Sequence, residues 1–298
     1  MTFSIVGRSA GGDALGVAVA SKFLAAGAYV PAAAVGAGAV ATQAYANLAL
    51  RTRGLELLAA GTGAAAVLDE FFAGDPNQAE RQAGVVDARG GAATFTGDRC
   101  QAWAGGVADA PPLGAYAIQG NMLAGPEVVG AMEASWLAGD PATALARRLV
   151  EALAAGQGAG GDPRGKQAAA VFVVSAGAGY GGLSDVHVDL RSDDSPEPIG
   201  DLRRMLDLHD LYFGTTPEAE LVVPDEALLD ELRGRLAAAG YASGDLWRDL
   251  YDWMGRENFE ERWHEARIDP VVLDQLRLAT GWQPARGQAR EGSNPRGR

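Results

Sequence analysis

The residue best placed for chemistry is the second one. The chain opens Met1-Thr2-Phe3-Ser4-Ile5-Val6-Gly7-Arg8. Threonine is small, so removal of Met1 is expected to leave Thr2 as the mature N-terminus. A terminal threonine combines two catalytic groups, because its hydroxyl attacks and its own α-amine takes the proton. Such an amine ordinarily titrates at about 7.7–8.0, so part of it is neutral near pH 7. The plain alternative is that Thr2 only begins a strand. Ser4 offers a second hydroxyl but has no base of its own. The rest of the acid–base repertoire is thin: His187, His209 and His264 are widely separated, and Cys100 is the single cysteine. That pattern disfavours a histidine- or cysteine-rich metal site, an intramolecular disulfide and a Ser-His-Asp triad. The expected chemistry uses no cofactor and no metal.

Composition narrows the partners. The 298 residues carry a net charge of −13, which disfavours nucleic acid and anionic membranes. Apolar residues make up 48%, enough for a sizeable core in one large or two moderate domains. Every long apolar run is broken by glycine, proline or charge, so no membrane span is expected. No basic segment precedes an apolar one at the start, which predicts a cytoplasmic protein. The expected partner is a small-molecule substrate. Lys22 and Lys166 are the only lysines, against 23 arginines. The bias suits GC-rich codons and makes each retained lysine stand out.

These residues must be held by strands and helices. Thr2 to Arg8 and Leu15 to Ser21 flank the Gly-rich turn Ser9 to Asp13 and read as a hairpin. Val35 to Gln43 is small and apolar throughout, as in a strand buried on both faces. Leu55, Leu57 and Leu58, then Val67, Leu68, Phe71 and Phe72, space as two short helices split by Gly61 and Gly63. Strands follow at Gln82 to Asp87, Ala92 to Thr96 and Tyr116 to Gln119. Pro126 opens a helix bearing Val128, Val129, Met132 and Trp136, and Pro141 opens a second with Leu145, Leu149 and Leu153. Ala168 to Ser175 and Val186 to Arg191 complete the strands. Helices thus come in pairs between groups of strands, where βαβ units would alternate singly. The pattern predicts an α+β chain folded as a four-layer αββα sandwich.

Ser192 to Pro198 reads as a linker. Beyond it the chain is helical, over Leu202 to Phe213, Pro224 to Ala239, Gly244 to Met254 and Pro270 to Thr280. The expected divisions are a sandwich over 1–200, a small all-α domain over 201–281 and a disordered tail over 282–298, which lacks large apolar residues from Pro284 onward. Trp247, Trp253 or Trp263 is expected to bury against the sandwich or a second subunit.

Several uncommon strings occur in order. They are Thr2-Phe3-Ser4-Ile5-Val6, Leu15-Gly16-Val17-Ala18-Val19-Ala20-Ser21-Lys22-Phe23, Gly38-Ala39-Val40-Ala41-Thr42-Gln43, Gln119-Gly120-Asn121-Met122-Leu123, Gly179-Tyr180-Gly181-Gly182 and Val188-Asp189-Leu190-Arg191. Over residues 1 to about 205 the chain resembles the DUF1028 family. The resemblance implies membership of the N-terminal nucleophile (Ntn) hydrolase superfamily and its αββα sandwich. Residues 206 to about 280, including Arg267-Ile268-Asp269-Pro270-Val271-Val272-Leu273, resemble a peptidoglycan-binding-like domain that some members carry. The resemblance supplies no substrate.

Terminal position, strand context and resemblance agree on Thr2 as nucleophile. Lys22 closes the second strand, where an ammonium can lower the amine's pKa or stabilise an oxyanion; the alternative is an exposed strand-end lysine. Asn121 follows a short strand and precedes a helix, a place from which an amide can donate to an oxyanion; the alternative is a turn-forming asparagine. Ser21, Gln43 and Asn47 are substrate-binding candidates, each with a structural alternative. Asp185, Asp189, Asp193 and Asp194 could hold a hard cation, but read better as a solvated loop in which Asp189 and Arg191 pair with each other or with neighbours. Gly36 to Ala41 matches a loose GxGxxA pattern, yet lies within a strand-like run and has no helix after it.

The resulting expectation is a cofactor-independent Ntn-type hydrolase acting on a C–N, amide-like bond of a small metabolite. The alternative is a non-catalytic ligand- or partner-binding protein on the same sandwich. By analogy with other Ntn sandwiches, a homo-oligomer is expected.

Overall fold

Alternating small and branched apolar residues pair the first two strands, β1 (Thr2–Arg8) and β2 (Ala14–Ser21), with Thr2 opposite Ser21. The computed structural model describes residues 2–281. The tail expected over 282–298 and Trp282 lie outside the described residues.

After β2 come a short helix α1 (Ala26–Tyr29), β3 (Pro31–Ala34) and β4 (Gly38–Ala44). The apolar run from Val35 is therefore not one strand. Gly36, at φ 74°, turns the chain in a left-handed conformation that glycine adopts without strain, so β3 and β4 form a hairpin. The GxGxxA string straddles this turn and runs into β4. Then follow α2 (Ala49–Ala59), α3 (Ala64–Phe72), β5 (Arg81–Asp87), β6 (Ala92–Thr96), β7 (Trp103–Asp109) and β8 (Tyr116–Leu123). The sequence reading missed β7, a half-exposed edge strand whose Gly105 and Gly106 hide the strand pattern.

Two further helices, α4 (Glu127–Ala138) and α5 (Leu145–Gly158), precede β9 (Ala168–Ser175) and β10 (Val186–Ser192). Pro141 does not open α5. The Asp140 carboxylate accepts the Ala142 N–H at 2.8 Å, a local turn that delays the helix to Leu145.

All strand pairs are antiparallel. One sheet runs β10-β9-β2-β1-β8-β7 and the other β3-β4-β5-β6. Val6, Val17 and Val19 meet Ala39, Ala41 and Val86 between the sheets. Outside the larger sheet, Phe3, Ile5 and Ile118 pack with Met132, Trp136, Leu149 and Leu153 from α4 and α5. Outside the smaller one, Val40 and Val85 pack with Leu50, Leu58, Val67 and Phe72 from α2 and α3. The four layers are those of the expected αββα sandwich.

Ser192 to Pro198 is not a free linker. Ser192 is buried and donates to Asp201 at 2.8 Å, and α6 (Pro198–Phe213) begins at once. Ile199, Leu202 and Leu206 join the sandwich core. The two compact units divide inside this helix, between Asp207 and Leu208.

The second unit contains α7 (Glu226–Ala238), α8 (Leu246–Arg256) and α9 (Pro270–Ala279), each N-capped by an aspartate: Asp225, Asp245 and Asp269. Its core gathers Leu232, Leu236, Leu250, Met254, Phe259 and Leu276 around Trp253, with Trp247 and Trp263 packed against them. Trp253 is thus buried in the unit's own core, while Trp247 and Trp263 stay half-buried at its edge. Arg262 and Asp269 form a buried ion pair at 2.8 Å. Among the described residues no helix is long and apolar enough to cross a membrane.

Candidate active site

Strand alternation puts every second side chain between the two sheets. On β1 that row is Thr2, Ser4 and Val6; on β2 it is Val17, Val19 and Ser21. On β4 it is Ala39, Ala41 and Gln43, on β5 Gln82, Gly84 and Val86, and on β8 Ala117, Gln119 and Asn121. In each strand the row turns polar at one end, and the register collects those ends together. Thr2 pairs with Ser21 on one side and Asn121 on the other, and Gln43 pairs with Gln82.

The result is a buried amide network beneath Thr2. Gln119 donates through Nε2 to Ser4 Oγ at 2.6 Å, and Ser4 donates to Gln43 Oε1 at 2.8 Å. Gln43 Nε2 and Asn121 Nδ2 both donate to Gln82 Oε1 at 2.8 Å. The same two nitrogens reach the Thr2 carbonyl at 3.3 and 3.4 Å. Gln82 Nε2 donates to the Gly120 carbonyl at 2.7 Å and to Thr96 Oγ1 at 2.9 Å. Gly84 makes room for this layer, since a Cβ there would lie 2.0 Å from Gln119 Oε1. Ser4, Gln82 and Gln119 are fully buried, whereas Thr2 is 9% exposed at the network's open end.

Thr2 Oγ1 lies 3.0 Å from Ser21 Oγ. It opens on a cavity of about 360 Å³, shared with Lys22, Gln43, Asn121 and Arg164 and walled by Phe23, Tyr29 and Tyr45. The structure therefore brings Thr2, Ser21, Lys22, Gln43 and Asn121 together. A second cavity of about 350 Å³ shares Ala44, Tyr45 and Asn121 with the first. A larger groove of about 740 Å³ runs along β3 and α2, and Thr2 does not line it.

Two expectations need correction. Asn121 is not a turn residue at a helix start. It lies within β8, and its Nδ2 already serves Gln82 and the Thr2 carbonyl. Asn47 does not join the site. Its Nδ2 donates to Asp75 at 2.9 Å and its Oδ1 accepts the Ala49 N–H, so it shapes the loop after β4.

That loop is tied down by a buried pair. Arg81 Nε donates to Asp75 Oδ2 at 2.9 Å and its Nη1 to the Tyr45 carbonyl, while its guanidinium stands 4.9 Å from the centre of the Tyr45 ring. Arg81 foremost, with help from Asn47 and the Asn77 N–H, pulls the Asp75 carboxyl down to about 2. A folded-state pKa below the unfolded value of about 3.9 stabilises the fold above that value, and the benefit fades as pH falls towards 2. Asp75→Asn is therefore expected to flatten the loss of thermal stability between about pH 4 and 2. Parallel melting curves for the two proteins check this; identical slopes would defeat it.

Sequence reading missed Gln82, Gln119 and Asp162. The first two carried a signal, because each sits in phase with apolar inter-sheet residues of its own strand. Asp162 carried none: it accepts the Lys22 N–H at 3.2 Å from 140 residues away. Ala44 and Met122, the residues directly after Gln43 and Asn121, hold φ of 62° and 55°. Non-glycine residues in this left-handed region cost on the order of 1 kcal/mol each and gather at functional sites. Of the acidic cluster near β10, Asp189 pairs with Arg191 at 2.8 Å and Asp185 accepts the Gly177 N–H.

Comparison with known proteins places this arrangement. No curated protein matches the chain. The model described as "Family of unknown function (DUF1028)" matches residues 2–202, and one described as "Putative peptidoglycan binding domain" matches 212–276. A crystal structure of protein SPO2555 from Silicibacter pomeroyi, also DUF1028, is similar at 30% identity and a TM-score of 0.62, covering 73% of this chain and 90% of that one. The matched stretch contains every residue described around Thr2, and the chain belongs to the DUF1028 family.

Proposed function

We propose that this protein is an Ntn-type hydrolase that cleaves a C–N, amide-like bond of a small metabolite, with Thr2 as nucleophile after removal of Met1. The observation that carries the reading is the position of Thr2. It stands at the open end of the buried polar row, with Oγ1 3.0 Å from Ser21 Oγ, and lines a cavity of small-molecule size.

In this reading the Thr2 α-amine takes the proton from Oγ1 as the oxygen attacks the substrate carbonyl. Negative charge gathers on the carbonyl oxygen. Asn121 can turn one N–H to it by giving up its long 3.4 Å contact with the Thr2 carbonyl, while its bond to Gln82 holds the amide in place. The amine then passes its proton to the leaving nitrogen and the C–N bond breaks. Water, deprotonated by the same amine, attacks the Thr2 ester and releases the acid. Ser21 orients Oγ1, Gln43 lines the cavity floor, and the Lys22 ammonium adds positive potential at the mouth. The chemistry calls on no cofactor, and the helical unit takes no part in it.

Intact-mass measurement joined to a screen of small amides and ureido compounds tests the reading. The expected result is a mass lacking Met1 and turnover of at least one compound. Active protein that fully retains Met1 would eliminate Thr2 as its own base. Saturable binding without turnover would favour the non-catalytic alternative.

A further inference from the structure

The cavity beside Thr2 runs against the charge of the chain. The protein carries a net charge of −13, yet the lining holds Lys22 and Arg164 and no carboxylate. One buried acid arranges this basic wall. Asp162 accepts the Lys22 backbone N–H at 3.2 Å and the Arg164 backbone N–H at 2.8 Å. Its carboxylate also takes the Arg164 guanidinium, through Nε at 3.3 Å and Nη2 at 3.1 Å. The Asp162 charge thus faces Arg164. Lys22 Nζ reaches only a backbone carbonyl, that of Lys166 at 3.4 Å; among the described residues no carboxylate forms an ion pair with it. Lys22, Arg164 and Asp162 together leave one positive charge, which suits a monoanion such as a carboxylate better than a phosphate dianion.

The other wall is apolar and left in solvent. Phe23 is 56% exposed and Tyr45 63%, and Tyr29 meets Phe23 edge-on at 5.8 Å. Large apolar side chains clustered around a concave site mark ligand contact. Tyr45 is held in place from behind by Arg81, so this wall exists before a ligand arrives.

We infer that the cavity selects a carboxylate-bearing amide with an aromatic or similarly broad apolar body. Lys22, with Arg164 beside it, seats the carboxylate, and Phe23, Tyr29 and Tyr45 cover the body. The inference deepens the proposed hydrolase reading, on which the word amide rests; the ligand's charge and shape stand on the cavity alone.

The test separates binding from turnover. Full-length Thr2→Ala protein is titrated calorimetrically with N-acetylphenylalanine and with its neutral carboxamide. The acid is expected to bind about tenfold more tightly, the worth of one charge-assisted hydrogen bond at a half-exposed site. Adding Lys22→Met, an exposed position whose change should leave the melting temperature in place, is expected to reduce the preference to within about twofold. Equal binding of the two probes, no saturable binding of the acid, or an undiminished preference in the Lys22→Met protein would each overturn the inference. So would inorganic phosphate displacing the acid at lower concentration than the acid itself binds. If the preference holds but the wild-type protein cleaves no amide, only the hydrolase reading has failed.

Discussion

Thr2→Ala is expected to lower turnover of any substrate amide by about 10⁴-fold or more, while Thr2→Ser keeps a measurable fraction. Loss of a covalent nucleophile costs this much because water must then attack unaided, with only binding and oxyanion contacts remaining. The fold should survive. Among the described residues Thr2 Oγ1 makes one hydrogen bond, to Ser21, and such a bond contributes about 1 kcal/mol net. The two effects therefore separate: the rate collapses while the melting temperature moves by only a few degrees. Steady-state kinetics and thermal melts of the three proteins check this. If Thr2→Ala retained more than about a tenth of the activity, nucleophilic attack by Thr2 would be excluded.

Gln82→Leu is expected to destabilise the sandwich by about 3 kcal/mol or more and to depress turnover as well. Gln82 is fully buried and sits where the network converges. Its Oε1 receives both Gln43 and Asn121, and its Nε2 serves the Gly120 carbonyl. Leucine keeps the bulk but removes the short bonds to three buried polar groups, leaving the Gln43 and Asn121 amides only contacts of 3.3–3.4 Å, and an unmade buried bond costs about 1–3 kcal/mol. Asn121 also loses the contact that holds its amide beside Thr2, and a misplaced donor loses its catalytic effect. Chemical denaturation should show a lower midpoint at unchanged slope. A loss of under about 1 kcal/mol would mean that water or a neighbour replaces Gln82, and that the network is not continuous.

Much of the frame could be read along the chain. Thr2 to Arg8 and the β2 run alternate and flank a Gly-rich turn, so a hairpin needs only local information. Paired helical runs between groups of strands pointed to two sheets covered on their outer faces. Thr2, Ser21, Lys22 and Gln43 could be nominated because they fall at the ends of strands recognisable by period. The β7 edge was illegible, since Gly105 and Gly106 interrupt its pattern and half of it faces solvent.

What only the tertiary structure decided is which polar groups share the site. Asn47 and Asn121 look alike locally, each an amide near the end of a strand. The pairing of β1 with β8 sets Asn121 opposite Thr2 across 119 residues of sequence. The left-handed turn at Ala44 and the pull of Asp75 take Asn47 elsewhere. Period along a strand is a local property, dictated by backbone geometry and side-chain size. Register between distant strands is collective, because shifting it by one residue would expose a whole apolar row. By itself the sequence determined most of the strands, their inward-facing rows and a hydroxyl at Thr2; the packing of two sheets decided that the polar ends of those rows meet there.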